Sequence, residues 1–276
     1  MQKMPSFKLK SVLIALLATI LIVACQNKTV RQPSSSQLVD CRTVEHAIGE
    51  VCVPKTPQRL VSLDNITLAD ALALEISSVG ASLIRQLPSY LNDKLPQIEF
   101  IGKSEQPNLE KIFQLNPDLI VGIEMFAESI FQQLSQIAPT AVGKWSGHPD
   151  WREHFNFVAR VLNKENEAKT VWENYNRRIE ELKIALGGRL KDVEVSVAYT
   201  SHGTITIYAE NSFSGSILAD LGIHRPKNQA AVDKGIIILS EERIPELDGD
   251  ILFVSVADEE SKQVLAKESR RNKFLI

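Results

Sequence analysis

Three cysteines, five histidines, three tryptophans and four tyrosines carry most of the chemistry this 276-residue sequence has to offer. Their spacing argues against catalysis. There is no G-x-S-x-G elbow, and Phe213-Ser214-Gly215 only partly resembles one. Walker A, G-x-G-x-x-G, H-E-x-x-H and C-x-x-C patterns are absent. His46, His148, His154, His202 and His224 show no metal-ligand spacing, so each is expected on the surface or in a loop, with no metal site. A secreted α/β enzyme would need a nucleophile with a base in reach, and no motif supplies the pair.

Cys25 has a different context. Lys3, Lys8 and Lys10 precede a 14-residue apolar run from Ser11 to Ala24. A bilayer-spanning helix needs about 20 apolar residues, so the run reads as a signal peptide. It closes on Ile22-Val23-Ala24-Cys25, which resembles a bacterial lipobox with Cys25 as the lipidated residue. Residues 26–39 are rich in Gln, Ser and Asn and would form a tether reaching at most about 46 Å. Removing residues 1–24 takes away three lysines and no acid, so the formal charge moves from −3 to −6. That balance excludes a nucleic-acid backbone binder. Cys41 and Cys52 remain, flanking a stretch that reads as a hairpin with Gly49 near its turn. Export permits a disulfide. A turn at Gly49 does not place the two cysteines directly opposite, so two buried free thiols stay open as the alternative.

The elements that must position any site alternate. Strands are expected at Arg59–Leu63, Ser78–Ala81, Asp118–Gly122 and Ala138–Val142. Helices are expected at Thr67–Leu74, Asn108–Leu115 (with Asn108 as N-cap) and Ala127–Gln136. That order implies βα units around a parallel sheet. From Asp150 to Leu186 a helical period runs without Pro or Gly, breaks near Asn163, and ends at Gly187-Gly188. The alternation then restarts with strands at Val193–Tyr199, Thr204–Ala209, Ile236–Leu239 and Ile251–Val256. Helices are expected at Ser212–Leu221 and after Ser240. The chain divides into a leader (1–24), a tether (25–40), a first α/β lobe with its leading hairpin (41–149), a helical region (150–188) and a second α/β lobe (189–276). A tethered, bilobal protein without a catalytic motif points to capture.

Particular stretches sharpen this reading: Pro57-Gln58-Arg59-Leu60-Val61-Ser62-Leu63-Asp64, Pro107-Asn108-Leu109-Glu110-Lys111-Ile112 with Pro117-Asp118-Leu119-Ile120, Gln136-Ile137-Ala138-Pro139-Thr140, and Leu239-Ser240-Glu241-Glu242-Arg243. Together they resemble the periplasmic binding proteins of ABC importers for ferric siderophores, haem and cobalamin. The Cys41–Val53 lead-in is similar to the iron-siderophore branch, particularly its cyanobacterial members. The resemblance implies two α/β lobes joined by a single long α-helix, the class III, helical-backbone arrangement. It also implies an exported monomer in the periplasm or at the cell surface, anchored to the membrane through Cys25. Its cargo would be an Fe(III)-siderophore chelate, with haem or cobalamin as the alternative, and no cofactor of its own. Its partners would be the permease subunits of an ABC iron importer. Glu110 and Glu242 fall at the positions of the two docking glutamates, with Glu241 as the neighbouring register. A bulky anionic chelate calls for aromatic walls and cationic donors. Candidates are Arg85, Trp145, Tyr199, His202, Tyr208 and Arg225. The family continues past the position of Phe274, so a truncated, non-transporting remnant is a further expectation.

Overall fold

The computed structural model describes residues 40–83, 98–190, 192–201, 204–240, 243, 247 and 249–256. The leader, the tether up to residue 39 with Cys25, Arg85, His202, Glu241, Glu242 and the C-terminal stretch lie outside them.

A hairpin opens the described chain. Strands β1 (Cys41–His46) and β2 (Gly49–Pro54) pair antiparallel across the two-residue turn Ala47-Ile48. Cys41 faces Pro54 and Cys52 faces Thr43, so the cysteines are diagonal neighbours on one side of the ribbon. They form a disulfide with Cα atoms 5.6 Å apart. Diagonal side chains on one face of a ribbon remain within reach of each other. The hairpin leans on a larger sheet and on a helix: Ala47 N–H donates to Val142 O of the sheet at 2.8 Å, and the Arg42 guanidinium donates to the carbonyls of Arg160 and Val161 at the end of the helix Trp151–Leu162. Reducing the disulfide, or replacing both cysteines by serine, is expected to cost about 2 kcal/mol, because the closed loop is short. Urea unfolding with and without dithiothreitol measures this.

The first lobe is a six-stranded sheet of order β6-β5-β4-β3-β7-β8. Its strands are β3 (Leu60–Ser62), β4 (Ser78–Leu83), β5 (Glu99–Lys103), β6 (Gln106–Pro107), β7 (Leu119–Ile123) and β8 (Thr140–Gly143). All pairings are parallel except β5 with β6. β7 is buried at every residue, as a central parallel strand covered on both faces must be. Helix α1 (Asn65–Ala73) follows β3 and α2 (Leu109–Gln114) precedes β7. The single helix expected over Ala127–Gln136 is instead α3 (Glu124–Ala127), one 3₁₀ turn, and α4 (Phe131–Ile137).

Helix α5 (Trp151–Leu162) buries Phe155, Phe157, Val158, Ala159, Val161 and Leu162 against this lobe. It ends where Asn163 takes a left-handed conformation (φ 58°). Helix α6 (Glu165–Leu186) is the long one, and its 22 residues span about 33 Å. Only Ala168 and Ile179 are buried on it. Its exposed faces carry ion pairs such as Arg177–Glu181 at 2.6 Å and Lys183–Glu180 at 2.8 Å. Such exposed pairs are screened by solvent and contribute little, and α6 is a solvated strut.

The second lobe holds a four-stranded sheet of order β11-β10-β9-β12. Its strands are β9 (Val195–Ser201), β10 (Thr204–Tyr208), β11 (Ile236–Leu239) and β12 (Ile251–Val256), with α7 (Phe213–Asp220) after β10. One sheet face carries the core residues Ala198, Ile205, Ile207, Leu239 and Leu252. The other carries Tyr199, Thr206, Ile238 and Phe253. Ser212 caps α7, as its residue type predicts, accepting from Gly215 N at 3.0 Å.

Candidate functional site

In open parallel sheets a ligand crevice forms beyond the carboxyl ends of the strands, where the winding reverses direction. Here the chain passes from β3 outward to β4 and β5, then returns to the other side of β3 as β7 and β8. The reversal lies between β3 and β7, and one buried carboxylate marks it. Asp64, fully buried at the end of β3, accepts from Thr67 N (2.7 Å), Thr67 Oγ1 (3.0 Å) and Ile123 N (3.0 Å). It therefore caps α1 and ties the end of β3 to the end of β7. Burial pushes the Asp64 carboxyl above the usual range, against the opposing pull of His154 and of these hydrogen bonds.

His154 corrects the expectation of surface histidines. It lies on α5 with its side chain buried, and its Nδ1 pairs with Asp70 Oδ2 at 2.7 Å. Trp145 stands edge-to-face with the His154 ring at 5.6 Å. Gly143, at the end of β8, leaves room for that ring, since a Cβ there would come within 2.7 Å of His154 Cδ2. Trp145 is thus a half-buried aromatic side chain just beyond the carboxyl end of β8, resting on a fixed histidine.

The second lobe meets the first at this edge. His148 N–H donates to Lys234 O at 3.3 Å, and the His148 ring packs on Tyr208 at 5.3 Å. Behind this contact stands an aromatic latch. Trp151 lies 4.9 Å from Phe213 and donates from Nε1 to Ser216 Oγ at 3.0 Å. Arg152 stacks over Trp151 at 4.3 Å and pairs with Asp220 at 2.7 Å, and Tyr175 on the strut donates to the same carboxylate at 2.5 Å. Burial alone would raise Asp220, but the Tyr175 and Arg152 hydrogen bonds outweigh it and hold it below the usual carboxylate range. The contribution of this pair is therefore present above that range and is lost only as pH falls through the depressed value.

Tyr199 shares the open face of the second sheet with Tyr208, directly opposite Thr206. Arg225 is committed elsewhere. Its guanidinium donates to Val195 O at 2.5 Å and to Tyr208 O, and burial lowers its pKa to about 10, partly offset by Glu210. It holds β9 and β10 in place and supports Tyr208 from behind. Glu110 is exposed in the first turn of α2, whose N-cap Asn108 accepts from Lys111 N at 3.0 Å. Two junction residues escaped sequence reasoning: Phe213, 50% exposed, and Lys234, exposed beside Gly235. Phe213 stood in a motif read only as a failed elbow, and Lys234 comes to the edge through a turn at Gly235 (φ 68°) that its residue type alone hints at.

The family profile described as periplasmic binding protein matches residues 60–272. The chain belongs to the periplasmic binding protein family. Within that family it is 33% identical over 250 residues to the probable siderophore-binding lipoprotein YfiY of Bacillus subtilis, covering 86% of this chain and 76% of the relative. Among solved structures, Staphylococcus aureus SirA in complex with staphyloferrin B aligns with a TM-score of 0.71 and 31% identity, over 83% of this chain and 82% of SirA. The triscatecholate siderophore binding protein FeuA of Bacillus subtilis, complexed with ferri-bacillibactin, aligns at 0.67 and 25% identity, over 82% and 81%. These periplasmic binding proteins share the class III arrangement, with α6 as the long helix.

Proposed function

We propose that this periplasmic binding protein captures a ferric siderophore in the crevice between its lobes and delivers it to an ABC permease for iron uptake, acting outside the cytoplasm. Membrane attachment through a lipid on Cys25, a monomeric state, the absence of catalysis and the absence of a resident cofactor belong to the same reading. One observation carries it: beyond the carboxyl edge of the first sheet, where half-buried Trp145 stands, His148 meets the second lobe at Tyr208 and at the backbone of Lys234, a residue whose side chain is exposed. That chemistry suits a bulky, oxygen-rich anion. Iron in such a chelate is already wrapped, so the protein needs no ligand to the metal. The binding named for YfiY, SirA and FeuA supports the same cargo class. Arg85, His202 and Tyr199 complete the proposed contact set, with Arg225 acting through Tyr208. Glu110 and Glu242 are proposed to dock the permease, one from each lobe.

The test is a tryptophan-fluorescence titration of the protein from Gln26 onward with ferric citrate, a ferric hydroxamate, a ferric catecholate, haem and cobalamin. Saturable quenching by one ferric chelate is the expected result. Saturation only by haem or cobalamin would replace the cargo, and no binding by folded protein would overturn capture.

A further inference from the structure

The proposed docking of Glu110 leaves the side chain one helical turn away without an account. The inner face of α2 is anchored: Ile112 is fully buried with Ile101 and Ile120, and Leu109 and Leu115 pack against the same cluster. Its outer face presents Glu110, Phe113 and Gln114, which neighbour one another at i, i+3 and i+4. Phe113 is 69% exposed. Gln114 Nε2 donates to Glu110 Oε1 at 3.3 Å, which steadies the carboxylate beside the ring. Lys111, the nearest cation in sequence, is turned away and held by Glu99 at 2.9 Å and by Phe100 O at 3.0 Å. Among the described residues Glu110 therefore has no cationic partner, while a large aromatic side chain lies open next to it.

The geometry points to Phe113 as the apolar anchor of permease docking, seated in an apolar-rimmed, cation-bearing pocket of the membrane-integral partner. This inference rests on the docking role of Glu110. An exposed carboxylate–cation pair contributes little by itself. An aromatic anchor that excludes water from such a pair is the usual form of a binding hot spot. The unpaired negative charge selects the occupant. A second copy of this chain would bring like charge to the same face, and an anionic lipid surface would repel it.

The experiment uses the full-length protein at its native locus and measures initial uptake of ⁵⁵Fe-labelled ferric citrate, ferric hydroxamate and ferric catecholate. Phe113→Ala is expected to cut the rate about tenfold or more, and Phe113→Leu to retain most of it. Chelate affinity and melting temperature of the purified variants should stay unchanged. Benzoylphenylalanine placed at position 113 should photo-crosslink to a membrane chain of the permease. If Glu110→Ala lowers uptake and Phe113→Ala does not, the anchor role is overturned and the docking reading stands. If neither variant lowers uptake, the docking reading itself falls. A crosslink between two copies of this chain overturns the choice of partner. No import of any chelate by the unaltered protein overturns transport beneath both.

Discussion

Gly147→Ala is expected to destabilise the protein by about 3 kcal/mol and to weaken chelate capture about tenfold. Gly147 has φ 154° and ψ −165°, a region essentially closed to residues with a side chain. Occupying it costs ~1–3 kcal/mol by itself. Space is also lacking: a Cβ would sit 2.9 Å from Lys234 O and 3.2 Å from Lys234 Cα, and backbone atoms cannot rotate aside. Relief requires the 234–235 turn to withdraw, which breaks the His148–Lys234 hydrogen bond and loosens His148 from Tyr208. Those contacts join the lobes at the crevice, so stability and affinity fall together. Gly187→Ala is the control. Gly187 also has positive φ (58°, with ψ −144°), but nothing lies within 4 Å of its would-be Cβ, so it should carry only the backbone cost of ~1–3 kcal/mol and leave capture unchanged. Urea unfolding and the fluorescence titration measure the two effects, and normal affinity in Gly147→Ala would show that this contact does not set the lobe junction.

Asp64→Ala is the second large effect, about 3 kcal/mol at neutral pH. The substitution removes the N-cap of α1, worth ~1 kcal/mol, and leaves Ile123 N–H buried without an acceptor, worth ~1–3 kcal/mol. Asp64→Asn should recover only the cap, because an amide NH₂ turned toward Ile123 N–H sets donor against donor. The pH dependence has a definite sign. The folded-state pKa of Asp64 lies above its unfolded value, so its contribution is fully present below the unfolded pKa and is lost as pH rises through the folded one. Acidification therefore strengthens the native protein through this group, and the gap to Asp64→Ala widens as pH falls. Equilibrium unfolding of both proteins across that range checks it, and a gap that narrows on acidification would contradict the sign.

Elements whose signals are local were legible in the sequence. The disulfide-flanked hairpin, the Asn108-capped helix, the break at Asn163 and the strands Ile236–Leu239 and Ile251–Val256 all stand where residue type and period place them. β5 escaped because Glu99–Lys103 buries only Ile101, which leaves no alternating pattern to read. The helix expected over Ala127–Gln136 divides at Glu128–Ile130, where the chain tightens into a 3₁₀ turn without any Gly or Pro to announce it. Long-range pairing was out of reach. His154 finds Asp70 84 residues away, and Arg225 finds the backbone carbonyls of Val195 and Tyr208, which any residue could have offered. The site divided along the same line. Trp145 just after β8 and Tyr208 at the end of β10 stand where the strand pattern placed them, whereas Lys234 reaches the edge only through the fold.

The placement of the three tryptophans gives the molecule its own optical reference. Trp151 and Trp172 lie 5.8 Å apart in the latch, each donating a side-chain hydrogen bond (to Ser216 and Asn156), whereas Trp145 stands apart from them on His154, beyond the end of β8. Chelate capture at Trp145, as proposed, acts on one emitter of three, and a change in lobe packing acts on the other two. A Trp145→Phe variant therefore separates occupancy from domain movement in a single spectrum, with no label attached.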